Sequence, residues 1–96
     1  MMRNYETMFV LKSNLDEATR GSLIEKFTGI IAKDGEVTKV DEWGNRKLAY
    51  EIEKEKDGYY VLVNFKASTE LPKELERNFK ISDDVLRYIV INLEEK

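Results

Sequence analysis

A chain of 96 residues, of which 42% are hydrophobic and 36% are charged, has the size and composition of one small folded domain spanning residues 1–96. It contains no cysteine and no histidine, which excludes disulfides, cysteine–histidine zinc sites, cysteine nucleophiles and histidine general bases. The net charge of −3 argues against nonspecific binding of nucleic acid, which usually needs a basic surface.

The sequence also lacks the features of an exported or membrane protein. No stretch approaches the roughly 18 apolar residues of a membrane-spanning helix, and the N-terminus lacks the basic-then-apolar pattern of a signal peptide. We therefore expect a soluble cytoplasmic protein with no membrane partner.

The first two predicted elements are a strand and a helix. Arg3–Lys12 reads as a strand with apolar residues on both alternating faces. Over Leu15–Lys33 the apolar spacing becomes helical, and Asp16 and Glu17 lie where acids favour a helix start. The stripe expected to be buried consists of Leu23, Ile24, Phe27, Ile30 and Ile31.

Three glycines accompany this helix. Gly21 and Gly29 weaken a helix interior, and we expect them to allow close packing on the sheet. Gly35 follows the last helical residues and has the position of a left-handed C-terminal cap.

The stretch from Glu42 to Phe65 organises the rest of the chain, and a predicted strand over Glu36–Val40 leads into it. Its two flanks are rich in aromatic and branched residues, and the polar, glycine-closed segment Glu53–Gly58 between them predicts a β-hairpin with a loop of several residues. Gly44-Asn45 is either a hairpin turn that adds a strand or a bulge that bends one long strand. We favour the bulge, because an extra strand would break a regular order of elements.

The remaining elements are the hairpin's second strand, Tyr59–Lys66, a second helix and a last strand, Val85–Leu93. The helix is expected to be capped by Ser68 or Thr69, with Pro72 in its first turn and an apolar stripe of Leu71, Leu75 and Phe79. The order β-α-β-β-α-β, with right-handed crossovers, predicts an α+β ferredoxin-like sandwich. This is a four-stranded antiparallel sheet with both helices on one face.

Two helices cover one face of such a sheet, and the other face is predicted to be apolar as well. We expect the helices to cover Thr7, Phe9, Leu11, Val61, Val63, Phe65, Ile89 and Ile91. The open side then carries Met8, Val10, Tyr60, Leu62, Tyr88 and Val90. A contiguous apolar patch of this kind usually marks a partner surface, unless long charged side chains or the bent hairpin cover it.

Several residues suggest contact with RNA, and each has a plainer interpretation. Tyr59, Tyr60 and Tyr88 invite comparison with RNA-recognition modules, but only three positions of Asp57–Asn64 fit that motif, so base stacking of that kind is not expected. Arg46 and Lys47 beside Trp43 suit phosphate binding, although adjacent cations are more often a solvated strand face.

Arg3 and Arg87 lie on strands that are neighbours in this topology, so we expect them to be near each other.

Catalysis is not expected. Asp83-Asp84 and Glu94-Glu95 are adjacent pairs at a turn and at the chain's end, not carboxylates around a cleft, and no glycine-rich phosphate loop is present. The segment Ser13–Leu15 after the first strand lacks the basic residue that the ferredoxin-like acyl-phosphate hydrolases need there. The sequence implies no enzyme, no cofactor and no metal.

Four segments together resemble the family of the sixth protein of the bacterial small ribosomal subunit, across essentially the whole chain. They are Arg3–Glu6, Trp43–Ile52, Gly58–Tyr60 and Asp84–Tyr88. Trp43–Tyr50 is the most specific of them, whereas Glu51 stands where the family often has proline.

The resemblance implies a structural ribosomal protein that supports subunit assembly and translation. It implies binding to the central domain of small-subunit ribosomal RNA together with the eighteenth small-subunit protein, a basic heterodimer partner. By motif position it implies RNA contact at Arg3, Tyr5, Arg87 and Tyr88, with Arg46 and Lys47 as further candidates. The partner-binding candidates are Met8, Val10, Trp43, Tyr60, Leu62 and Val90.

Two other hypotheses for the function remain open. A homo-oligomeric ferredoxin-like module, for example a ligand-sensing one, would bind further copies of itself through the same apolar face. The ribosomal hypothesis instead predicts a monomer in isolation. An autonomous RNA-recognition domain would bind single strands alone, which the negative charge disfavours.

Overall fold

The computed structural model describes residues 2–52 and 54–94. Its elements are β1 (Arg3–Lys12), α1 (Glu17–Asp34), β2 (Glu36–Ile52), β3 (Glu55–Ala67), α2 (Leu71–Ile81) and β4 (Val85–Asn92). The four strands form one antiparallel sheet in the order β2-β3-β1-β4. The predicted ferredoxin-like α+β fold is therefore confirmed.

The core lies between the helices and one face of the sheet, and phenylalanines dominate it. The ring of Phe9 on β1 lies 5.3 Å from Phe27 of α1 and 5.0 Å from Phe79 of α2, measured between centroids. Burying each such side chain contributes about 1.5–3 kcal/mol. Both predicted helix stripes face this core, with Ile24, Phe27, Ile31, Leu71, Leu75 and Phe79 buried.

The two helices begin differently. At α1, the Asp16 carboxylate accepts the backbone N–H of Thr19 at 2.7 Å, which satisfies a free donor of the first turn. Hydrogen bonding by Thr19, through its side chain first and its backbone second, lowers the pKa of Asp16. The predicted cap of α2 by Ser68 or Thr69 is wrong, because Glu70 holds the cap position and makes no side-chain bond. The Ser68 hydroxyl instead donates to Asp34, which ties the end of α1 to the start of α2.

The roles predicted for the three glycines in and after α1 are wrong. Gly35 has a φ of −155°, so the expected left-handed cap is wrong. A Cβ at Gly35 would lie 2.0 Å from the carbonyl oxygen of Lys66, so glycine is required by the close approach of α1 to β3. An added Cβ at Gly21 or Gly29 would meet nothing within 4 Å, so neither permits close packing.

The bulge predicted near Gly44 is confirmed. β2 runs through it as one strand, the register with β3 shifts between Glu42 and Gly44, and Gly44 has a φ of +86°. The loop predicted over Glu53–Gly58 is longer than the loop that joins β2 and β3 in the structure. Ile52 already pairs with Glu55, and of the residues between them Lys54 has a φ of 68° while Glu53 lies outside the described residues.

The register decides which residues share a face, and one predicted assignment is wrong. Phe9 pairs with Tyr88, so Tyr88 and Val90 lie on the helix side, while Ile89 and Ile91 lie on the open side. The cause is that β4 is apolar at both alternating sets of positions, so its hydrophobic pattern does not distinguish the faces. Arg87 shares the alternation of Ile89 and Ile91, and its charge is the signal that could have corrected the prediction.

Candidate partner and nucleic-acid interface

The face of the sheet turned away from the helices, here called the open face, presents an apolar patch. Met8 of β1 lies between Leu62 of β3 and Ile89 of β4 in the paired strands. Ile89 is 45% exposed and Ile91 is 43% exposed, which is unusual for two isoleucines on one strand. A continuous apolar surface of this kind is typical of a site where a partner binds.

The far end of the β2–β3 hairpin covers one side of the open face. Val10 is only 3% exposed and Leu48 only 8%, although both lie on this face. The hairpin approaches closely because Gly58 has no side chain, and a Cβ there would lie 2.3 Å from Val10 Cγ1 and 3.3 Å from Leu48 Cδ2. Val10, a predicted partner contact, therefore forms the floor of this region.

A shallow depression of about 240 Å³ remains beside the covered region. Its lining consists of Met8, Val10, Tyr60, Arg87, Tyr88 and Ile89.

Trp43 borders the open face at the bulge of β2. Its ring lies nearly parallel to that of Tyr60, at an angle of 10° and with centroids 6.4 Å apart. Its indole N–H donates to Asp41 at 3.2 Å, and the side chain is 41% exposed. The structure thus brings together four of the predicted partner residues, Met8, Trp43, Tyr60 and Leu62, and leaves Val90 on the opposite face.

Two arginines occupy one end of the open face. Arg87 pairs with Val10 on β1, and Arg46 pairs with Gly58 on β3, which itself pairs with Lys12 near the same end of β1. The Arg87 guanidinium donates to the hydroxyl of Tyr50 at 3.2 Å. Within residues 2–52 and 54–94 the one ion pair joins Arg77 and Glu74, so neither arginine has a carboxylate partner there.

The other predicted cations lie elsewhere. Lys47 pairs with Asp57 and alternates to the other side of β2. Arg3 pairs with Ala67 at the opposite end of β1, seven positions from Val10, which is ~24 Å along a strand. The predicted proximity of Arg3 and Arg87 is therefore wrong, because antiparallel neighbours bring together opposite chain ends.

Two predicted RNA contacts are aromatic residues of the core. Tyr5 is 5% exposed and stacks on Phe65 with centroids 5.4 Å apart, so no ring face is open to a base. Tyr88 stacks on Phe79 at 5.2 Å and reaches the open face only where it lines the depression. Sequence reasoning missed Tyr50, Ile89 and Ile91, which the fold adds to the open face.

Other kinds of site find no support in the described part of the chain. No three acidic side chains among residues 2–52 and 54–94 gather as a metal site requires. Neither helix in those ranges is long and apolar enough to cross a membrane.

Fold and surface together define a small ferredoxin-like domain with a half-exposed apolar sheet face that has two arginines at one end. Comparison with known proteins identifies the family. The profile of the family Ribosomal protein S6 matches residues 4–92, and the chain belongs to that family.

The relatives agree over the full length of the chain. Small ribosomal subunit protein bS6 of Clostridium novyi is 58% identical over 95 residues, covering 98% of this chain and 100% of the relative. The protein of the same name from Alkaliphilus oremlandii is 55% identical over 94 residues, with the same shares covered. The crystal structure of 30S ribosomal protein S6 from Thermotoga maritima superposes with a TM-score of 0.90 at 32% identity, covering 96% of this chain and 88% of that one.

The family resemblance seen in the sequence is thereby confirmed. The protein is a structural, non-enzymatic component of the small ribosomal subunit, which places it in the ribosome in the cytoplasm.

Proposed function

We propose that this chain binds the central domain of small-subunit ribosomal RNA together with the eighteenth small-subunit protein, a basic partner. The pair supports assembly of the subunit platform and thereby translation. The observation that carries the proposal is the open face, where Met8, Leu62, Ile89 and Ile91 form an apolar patch with Arg46 and Arg87 at one end.

Charge supports joint binding over binding alone. The chain has a net charge of −3, whereas affinity for RNA grows with the number of phosphates that cations neutralise. A basic partner supplies those cations, and burying the open face holds the two proteins together. The chain on its own is then a monomer with weak affinity for RNA.

The two kinds of contact divide between parts of the surface. Met8, Tyr60, Leu62 and the exposed isoleucines of β4 face the protein partner, with Trp43 at the border. Arg46 and Arg87 suit phosphate oxygens, because guanidinium groups bind them through paired hydrogen bonds. Lys47 and Arg3 are further candidates at separate places, whereas Tyr5 and Tyr88 support their strands from the core.

The test is binding to an RNA fragment of the central domain, with and without the basic partner, at two salt concentrations. Binding that requires the partner and weakens with salt supports the proposal. Strong binding by this chain alone would indicate an autonomous RNA-binding module. No binding in either arm, together with a dimer in light scattering, would assign the open face to a second copy of the chain.

Arg87→Glu tests the charged end of the surface. We expect assembly onto RNA with the partner to weaken about 10-fold or more, because a phosphate contact is replaced by a repulsive charge. The thermal midpoint should change little, since Arg87 is exposed. Lys73→Glu is the matched control, with the same charge change at an exposed position of α2. Equal losses in both variants would show a general charge effect and contradict the assignment of Arg87.

A further inference from the structure

Three side chains link α1, β3 and β2 on the helix side of the sheet. The Tyr59 hydroxyl on β3 donates to the Glu42 carboxylate on β2 at 2.7 Å. The guanidinium carbon of Arg20 on α1 lies 4.3 Å from the centroid of the Tyr59 ring. Arg20 also donates to the Leu15 carbonyl at 3.4 Å. Arg20, Tyr59 and Glu42 are here called the clamp.

The contacts within the clamp are of strong types. A hydroxyl bound to a carboxylate makes a charge-assisted hydrogen bond, and a guanidinium over a tyrosine face makes a cation–π contact. The bond to Glu42 raises the pKa of Tyr59 above its ordinary value of 10, with desolvation as the second cause. The Tyr59 phenol therefore keeps its proton to higher pH than an ordinary tyrosine does.

The clamp lies on the opposite face of the sheet from Trp43, at the same point of β2 and β3. Glu42 precedes Trp43 in β2, and Tyr59 precedes Tyr60 in β3. Successive residues of a strand point to opposite faces, so Tyr59 holds Glu42 on the helix side while Tyr60 stacks with Trp43 on the open side. The pairs Glu42–Tyr59 and Trp43–Tyr60 thus link β2 to β3 at the same point, one pair on each face of the sheet.

The backbone at this point is a poor support by itself. The ladder between β2 and β3 is interrupted between Glu42 and Gly44, where Trp43 is the extra residue of the bulge. Gly44 follows with a φ of +86° and adds no side chain to hold the strand. The orientation of Trp43 therefore depends on side-chain contacts.

We infer that the clamp of Arg20, Tyr59 and Glu42 positions Trp43 and so prepares the border of the open face for the protein partner. These three residues lie on the helix side of the sheet and act on Trp43 through the bulge, so they are positioning residues. An aromatic side chain that is already ordered loses less conformational entropy on association. The inference rests on the proposed function for its consequence, but its structural part is testable without a partner.

The first experiment uses the isolated chain. Trp43 is the only tryptophan, so fluorescence anisotropy decay and acrylamide quenching report on this residue alone. Tyr59→Phe removes one hydroxyl, and we expect faster local motion of Trp43 and stronger quenching. Glu42→Gln keeps an acceptor oxygen and should retain most of the order, whereas Glu42→Ala should behave like Tyr59→Phe.

The matched control is Thr28→Val, which removes a hydroxyl that donates to the Glu25 carbonyl at 3.2 Å, away from the bulge. It should leave Trp43 unchanged. If Tyr59→Phe also leaves the anisotropy decay and the quenching unchanged, the clamp does not position Trp43 and the inference is overturned.

The second experiment measures binding to the basic partner in a double-mutant cycle. We expect Tyr59→Phe to weaken binding about 2- to 10-fold, the effect of ordering one side chain on association. In a Trp43→Ala background the same change should have no further effect, because the residue it positions is gone. An equal loss in both backgrounds would show that Tyr59 acts through overall stability, which overturns the inference.

The two arms separate the possible failures. If the unaltered chain binds no partner, the proposed function fails, and the fluorescence arm still decides whether the clamp orders Trp43.

Discussion

Phe9 and Met8 are neighbours in β1, yet they lie in opposite environments. Phe9 is fully buried among the rings of both helices, whereas Met8 lies partly exposed between Leu62 and Ile89. Apolar side chains thus stabilise the fold on one face of the sheet and remain available to a partner on the other. Hydrophobicity alone therefore does not define a core, because the position of the helices determines which face is buried.

The open face is itself divided. Where the hairpin turns back over it, Val10 is as well buried as many core residues, and Ile89 on the neighbouring strand is almost half exposed. One part of this face therefore contributes to stability, and the other part is the surface proposed to bind the partner.

The largest expected effect comes from truncating the helix side. Phe9→Ala should reduce the free energy of unfolding by about 3–5 kcal/mol, because it removes a buried ring and leaves a cavity. Met8→Ala, one position away, should cost about 1 kcal/mol or less. Urea unfolding of both variants measures the difference, and similar losses would show that the open face is also core.

An intermediate effect is expected where the hairpin covers the open face. Gly58→Ala should cost about 1–3 kcal/mol, because the new Cβ overlaps Val10. Combining it with Val10→Ala should recover part of that loss, since the overlapping atom is removed. Gly29→Ala, where an added Cβ meets nothing within 4 Å, should stabilise the chain by up to about 1 kcal/mol. A neutral Gly58→Ala would contradict the close approach of the hairpin.

The smallest effect on stability is expected at the exposed part of the open face. Ile89→Thr should change the free energy of unfolding by about 0.5 kcal/mol or less while weakening binding to the basic partner. Val90→Thr, on the helix side of the same strand, should cost about 1 kcal/mol or more, because it places a hydroxyl against the core. Thermal unfolding compares the two, and a greater loss for Ile89→Thr would reverse the assigned faces of β4.

Several elements of the fold are specified by local patterns in the sequence and were predicted correctly. β1 was predicted with the bounds it has, and both helix stripes were correct because a 3.6-residue period needs no knowledge of the partner. The bulge at Gly44 was also correct, although it was favoured over a hairpin turn because an extra strand would break the regular order of elements. The residues of Trp43–Ile52 also carried the family, which the comparisons confirm.

The candidate site was harder to predict, since it joins residues from separate strands. Arg3 and Arg87 were expected together, yet the antiparallel register places them at opposite ends of β1. Tyr5 was expected at the RNA and is packed against Phe65.

The order of the elements, the apolar stripes of the helices and the membership of the ribosomal family all follow from the amino-acid sequence alone. The face of β4 that meets the helices is set by its pairing with β1, because Tyr88 and Ile89 are equally suited to burial and the register selects between them. The requirement for glycine at position 35 likewise arises from its close approach to Lys66, a contact between residues distant in the chain. Local patterns specify elements, whereas register and packing depend on contacts that no local pattern contains.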